Sequence, residues 1–200
     1  MPSIYQIKPR FQALLRPLVR SLAGVGVTAN QVTAAAAVMS IAAGLVLARW
    51  PGEPRLWFLL PVVLFLRMAL NAIDGMLARE HGQKSALGAF LNELCDVVSD
   101  SALYLPFASI ANPVIVVLAV LAAALSEMAG VVALQVGAER RYDGPMGKSD
   151  RAFAFGFAGF LIGCGVPPGS WLDISVAAIA IATAITVFNR VRAALRQSKR

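Results

Sequence analysis

Asn71, Asp74, Arg79, Asn92, Glu93, Asp96 and Asp100 all fall between positions 71 and 100 of a sequence that is otherwise mostly apolar. Carboxylates, carboxamides and guanidinium groups are costly in lipid, so within hydrophobic segments they mark function. Asn71, Asp74 and Ala78 share one helical face by their spacing of three and four, and Gly75 leaves a notch beside them for close approach. Arg79 follows, with a planar guanidinium suited to holding phosphate oxygens in pairs. Counted around a helix from Asp96, the side chains of Asn92, Asp100 and Glu93 lie within an arc of about 100°. Two such helices side by side can surround a hard cation with oxygen ligands, which suits Mg²⁺ or Mn²⁺. The simpler use of the same groups is interhelical hydrogen bonding in a scaffold or transporter.

The elements that carry these residues are blocks of near-bilayer length. The 200 residues are 58% hydrophobic and 14% charged, more apolar surface than one soluble core of this size needs. Breaks rich in charge, proline or glycine delimit six transmembrane spans near residues 30–48, 56–78, 86–108, 113–136, 152–166 and 171–189. Residues 1–24 place Lys8, Arg10, Arg16 and Arg20 among Ile4, Ile7, Phe11, Leu14, Leu15, Leu18 and Leu22, the pattern of an amphipathic interfacial helix. The expectation is a single all-α membrane domain over residues 1–200. Fifteen of the 18 basic residues fall on the side of the termini and of the Arg79 end, with Arg49 and Arg55 opposite and Arg67 inside a span. That asymmetry predicts a multi-pass protein of a bacterial-type cytoplasmic (inner) membrane with both termini in the cytoplasm. The net charge of +7 then reflects topology and anionic lipid, and nucleic acid is excluded as a partner. Cys95 and Cys164 show no metal or disulfide pattern and read as small buried hydrophobes. Arg67 and Glu127 sit at comparable depth, about 18 Å below Arg79 by helical rise, and are expected to pair.

The spacing resembles the signature of the CDP-alcohol phosphotransferases, D-x2-D-G-x2-A-R-x8-G-x3-D-x3-D. The chain matches at Asp74, Gly75, Ala78, Arg79, Gly88 and Asp96, and carries Asn71 and Asn92 where the family has aspartates. Thr28-Ala29-Asn30-Gln31-Val32-Thr33 is similar to the T-P-N-x-x-T that opens the family's first span near the nucleotide. The resemblance implies that an acceptor hydroxyl attacks the phosphorus bearing the lipid alcohol of a CDP-alcohol, CDP-diacylglycerol above all, and releases CMP. It implies Asp74 as a metal ligand and Asp96 as a ligand or the general base. Asn30, Thr33, Gly75, Ala78, Arg79 and Gly88 would line the nucleotide or its phosphates. The bilayer, a CDP-linked lipid and a small alcohol acceptor are the implied partners, and members of the family commonly dimerise.

The two asparagines reduce the carboxylates at the signature positions from four to two. Either Asn71 and Asn92 act as neutral ligands while Glu93 and Asp100 restore the charge, or one cation is held firmly and a second weakly or not at all, or the protein binds a CDP-linked lipid without turning it over. Lys148 and Arg151, in the basic stretch 139–151, are candidates for an anionic acceptor, although the positive-inside bias also accounts for them. The competing classes are a non-catalytic lipid-binding relative and a small ion transporter. The transporter would need polar groups on both leaflets, whereas these cluster toward one.

Overall fold

The computed structural model describes residues 4–198, with side chains described from Phe11 onward. Ile4, Ile7, Lys8 and Arg10 of the expected amphipathic face therefore lie outside the described side chains, as do Lys199 and Arg200 of the basic tail. Among the described residues the chain forms α1 (Ile4–Gly24), α2 (Ala29–Arg49), α3 (Leu59–Glu80), α4 (Ala86–Tyr104), α5 (Pro113–Gln135), α6 (Lys148–Gly163) and α7 (Ser170–Ser198), with no strand. Short 3-10 helices at Pro54–Phe58 and Leu105–Ser109 precede α3 and follow α4. By length and apolar composition, Ala29–Arg49, Pro54–Glu80, Pro113–Gln135 and Ser170–Ser198 can each cross a membrane. The other two bundle helices fall short on that measure for visible reasons: α4 carries Glu93, Asp96 and Asp100, and α6 has only 16 residues.

Local chemistry fixes the helix starts. Thr28 caps α2 reciprocally with Gln31: its hydroxyl accepts from the Gln31 amide, and its own N–H donates to Gln31 Oε1. Ser85 caps α4 by accepting from Gly88 N at 2.9 Å, and Asn112 followed by Pro113 opens α5. Gly147 opens α6, where its N–H donates to Asp150 Oδ2 at 2.9 Å. That start lies four residues ahead of the expected span, so Lys148 and Arg151 belong to a helix and not to a loop. Similarly, α7 runs to Ser198 because nothing in Val187–Ser198 breaks a helix, and it carries Arg190, Arg192 and Arg196 in regular geometry.

The apolar core occupies the half of the bundle remote from the signature. Trp57, Leu60, Leu103, Tyr104, Phe107, Phe155 and Leu172 are buried together, with the Tyr104 and Phe155 rings stacked at 4.0 Å. A second cluster joins Val19 of α1 to Val32, Ile73, Met76 and Leu77. Two polar ties lock this end. Arg16 donates to both carboxylate oxygens of Glu80, at 3.2 and 3.1 Å. Gln83, in the α3–α4 turn, accepts from Ala29 N at 2.7 Å and donates to Val27 O at 3.4 Å. The helix ends that bear the signature are therefore bound to one another before any ligand is considered.

Candidate active site

Three helices converge on the signature. From α2, the Thr33 hydroxyl donates to Asp74 Oδ2 at 2.8 Å while Asp74 itself is buried on α3. Asn30 reaches across to α4, where a Cβ at Gly88 would stand 2.8 Å from Asn30 Oδ1. Glycine at 88 is what lets the two helices approach. On α3 the Arg79 guanidinium folds back over Gly75, and a Cβ there would lie 3.1 Å from each terminal nitrogen. Any larger residue at 75 would push the arginine away. Ala78, one turn beyond Asp74, packs against the α1–α3 cluster. Asn30, Thr33, Asp74, Gly75, Arg79 and Gly88 thus fall at one end of the bundle.

Asp96 faces α3 and α6. Its Oδ1 accepts from Asn71 Nδ2 and Arg67 Nη2, each at 3.3 Å, and meets the Lys148 ammonium at 2.5 Å. All three of these contacts fall on Oδ1, so Asp96 keeps Oδ2 for a ligand or a proton. Asn92 donates to Glu93 Oε1 at 3.5 Å, at the limit of a hydrogen bond.

Glu93 and Asp100, the acids expected to restore the missing charge, are engaged elsewhere. Arg140 grips both oxygens of Glu93. Asp100, deeper in the bundle, accepts from Arg67 on one oxygen and from Arg151 on the other. The direct Arg67–Glu127 pair does not form. Arg67 turns instead to Asp96 and Asp100, reaching across to α4, which itself packs on α2 and α5. Glu127 bonds to Arg151 at 2.8 Å, with Arg190 at 3.6 Å and Arg140 at 3.7 Å. The result is one continuous network of five cations and four carboxylates linking α3, α4, α5, α6, α7 and the loop before α6.

Arg151 differs most from its expected place at the acceptor. It is wholly buried, and beyond its two acids it donates to Ser126 Oγ at 2.9 Å and to Met146 O at 3.3 Å. The cause is the early start of α6, which aims residue 151 inward one turn after Lys148. Lys148 itself stays partly exposed beside Asp96. Of the residues the sequence reading passed over, Ser126, Arg140 and Arg190 complete the network. The available signal was the depth of Glu127 in an apolar helix, a charge that demands partners. Outside the spans, Arg141 is bidentate on Asp143, at 2.8 and 2.9 Å, which lowers the Asp143 carboxyl below its ordinary range.

This geometry defines a bundle of apolar helices crossed by one layer of paired acids and bases, and similarity to known proteins gives it a class. Residues 26–188 match the CDP-alcohol phosphatidyltransferase family, and the chain belongs to that family of transferases of substituted phosphate groups, which act in phospholipid synthesis. Among curated relatives, it is 45% identical over 198 residues to the inner membrane protein YnbA of Escherichia coli K12, covering 98% of each chain. It is 36% identical over 98 residues to the phosphatidylinositol phosphate synthase of Mycobacterium marinum, covering 47% of this chain and 38% of that one. In fold it resembles the Mycobacterium tuberculosis phosphatidylinositol phosphate synthase crystallised with CDP-DAG, at a TM-score of 0.73 and 23% identity over 91% of this chain and 92% of that one. The same synthase was also solved with manganese and citrate, again at a TM-score of 0.73.

Proposed function

We propose that this chain transfers a phosphatidyl group from CDP-diacylglycerol to the hydroxyl of a small alcohol and releases CMP. The observation that carries the reading is the gathering at one end of the bundle of Asp74 held by Thr33, Arg79 folded over Gly75, and Asp96 with one oxygen outside its ion pairs. We place the six helices α2 to α7 across a bacterial inner membrane, with both termini and the Arg79 end of α3 on the cytoplasmic side and α1 along the interface. The basic residues of α1, of the 139–148 segment and of α7 then all meet the cytoplasmic leaflet.

The donor set fits a hard divalent cation, because the carboxylates of Asp74 and Asp96 and the carboxamides of Asn71 and Asn92 offer only oxygen donors. When bound, Mg²⁺ or Mn²⁺ would neutralise pyrophosphate charge that otherwise repels an incoming oxygen. Thr33 holds Asp74 through its hydroxyl and so orients the carboxylate. Asn30 and the Gly88 backbone form the narrow wall against which the nucleotide packs, and Arg79 over Gly75 supplies paired donors to the phosphates. Asp96 takes the acceptor proton on Oδ2 as the acceptor oxygen bonds to phosphorus and the phosphorus–oxygen bond to CMP breaks. Arg67 and Asn71 fix its other oxygen and so orient it. Lys148, partly exposed at the start of α6, lies where an anionic acceptor group would approach. Arg151, fully enclosed, positions that helix turn and does not touch substrate.

The test is to incubate purified protein in lipid discs with labelled CDP-diacylglycerol, Mn²⁺ and a panel of polyols and phosphorylated polyols, following CMP. Metal-dependent and alcohol-dependent CMP release is expected. Absence of CMP with every alcohol would refute the reading in favour of a protein that only binds the CDP-linked lipid.

A further inference from the structure

We propose that the site holds one divalent cation, not two, and that the Lys148 ammonium takes the electrostatic place of the second. The inference rests on the phosphatidyl-transfer reading for the identity of the site, and its residues supply the argument. Four carboxylates balance two divalent ions. The signature positions here supply two, Asp74 and Asp96. Glu93 and Asp100 cannot make up the difference, because Arg140 occupies both oxygens of the first and Arg67 and Arg151 one oxygen each of the second. Among the described residues, no three histidine, cysteine, aspartate or glutamate side chains are grouped to hold a metal. A single ion completed by carboxamide and substrate oxygens is what such a set can support.

The place of the missing charge is filled. Asp96 Oδ1 meets Lys148 Nζ at 2.5 Å and also accepts from Arg67 and Asn71. A metal cannot reach that oxygen without displacing the ammonium. Asn71 and Lys148 act together here. An aspartate at 71 would set a second carboxylate 3.3 Å from Asp96, where only a shared cation relieves the repulsion, whereas the carboxamide donates a hydrogen bond and needs none. Lysine suits the task as a compact point charge. Its position is built into the fold, since the Gly147–Asp150 bond opens α6 there and buried Arg151 fixes the next turn.

Mn²⁺ binding to the full-length protein in lipid discs, read by electron paramagnetic resonance, tests this without reference to turnover. Wild type should bind one Mn²⁺ per chain with an uncoupled spectrum. Asn71→Asp with Asn92→Asp should admit a second ion weakly. Adding Lys148→Met should tighten that second site about tenfold or more, because a unit charge at contact distance no longer opposes it, and should give a spin-coupled pair. Two ions on wild type, or none, would overturn the proposal. So would a second-site affinity that ignores Lys148. If the variants fail to fold, the wild-type stoichiometry still decides. One bound ion without CMP release would leave this inference standing and sink the transfer reading. Two ions with CMP release would do the reverse.

Discussion

Arg151→Met removes the side chain on which the polar layer turns. Arg151 makes four contacts, to Ser126 Oγ, Met146 O, Asp100 Oδ2 and Glu127 Oε1, and none of it is exposed. Breaking a buried ion pair by deleting one partner generally costs about 3–5 kcal/mol, because the other charge is left uncompensated. Here the acids keep other partners: Arg67 stays on Asp100, and Arg190 and Arg140 stay within 3.6 and 3.7 Å of Glu127. The loss therefore belongs at the lower end, about 3 kcal/mol. Thermal unfolding in lipid discs, followed by tryptophan fluorescence with Trp57 as the fully buried reporter, should show a clear fall in midpoint. Adding Glu127→Gln should recover part of it by removing a buried charge left with only the two longer contacts, to Arg190 and Arg140. CMP release measured well below the midpoint should also fall, since Lys148 loses the turn that seats it. A loss under about 1 kcal/mol, or no recovery in the double variant, would refute the view that Arg151 is the structural keystone.

Asp96→Asn should abolish CMP release while leaving the fold intact, and full activity in that variant would remove Asp96 from the role of base. Thr33→Val deletes the hydroxyl on buried Asp74 and should cost about 1–3 kcal/mol in stability, together with weaker Mn²⁺ binding; unchanged Mn²⁺ affinity would count against its positioning role. Gly75→Leu should displace Arg79 from above the helix and raise the KM for the CDP-linked lipid more than it lowers kcat, measured by steady-state CMP release. Asp143 is held below its ordinary range by Arg141, so its stabilising contribution is present above its unfolded pKa and lost as pH falls through the lower folded value. Hydrogen exchange in residues 139–147 should accelerate only across that acidic window, and Asp143→Asn should remove the dependence.

The sequence shows the proposed site more clearly than it shows that site's support. Asp74, Gly75, Arg79, Gly88 and Asp96 are legible because they match a known family signature, and the face shared by Asn71, Asp74 and Ala78 is legible from helix geometry. Helix starts at Thr28, Ser85 and Asn112 are legible because capping is local chemistry. The partners of the buried charges are not, since helical periodicity gives depth and face but not which helix lies opposite. Arg67 and Glu127 match in depth yet join only through Asp100 and Arg151. The start of α6 was also hidden: residues 139–151 read as a charged loop, and only the Gly147–Asp150 bond turns Lys148 and Arg151 into a first helical turn. Arg190 likewise looked like the first residue of a basic tail, because charge there is equally well explained by topology, whereas α7 continues and buries it against Ser126.

The most direct measurement is the mass of the lipid formed when the purified protein, CDP-diacylglycerol, Mn²⁺ and the alcohol panel are combined. The account predicts a phosphatidyl ester of one of the alcohols, formed in equal amount with CMP and absent from the Asp96→Asn protein. A wild-type protein that binds CDP-diacylglycerol and forms no such ester with any alcohol would contradict it.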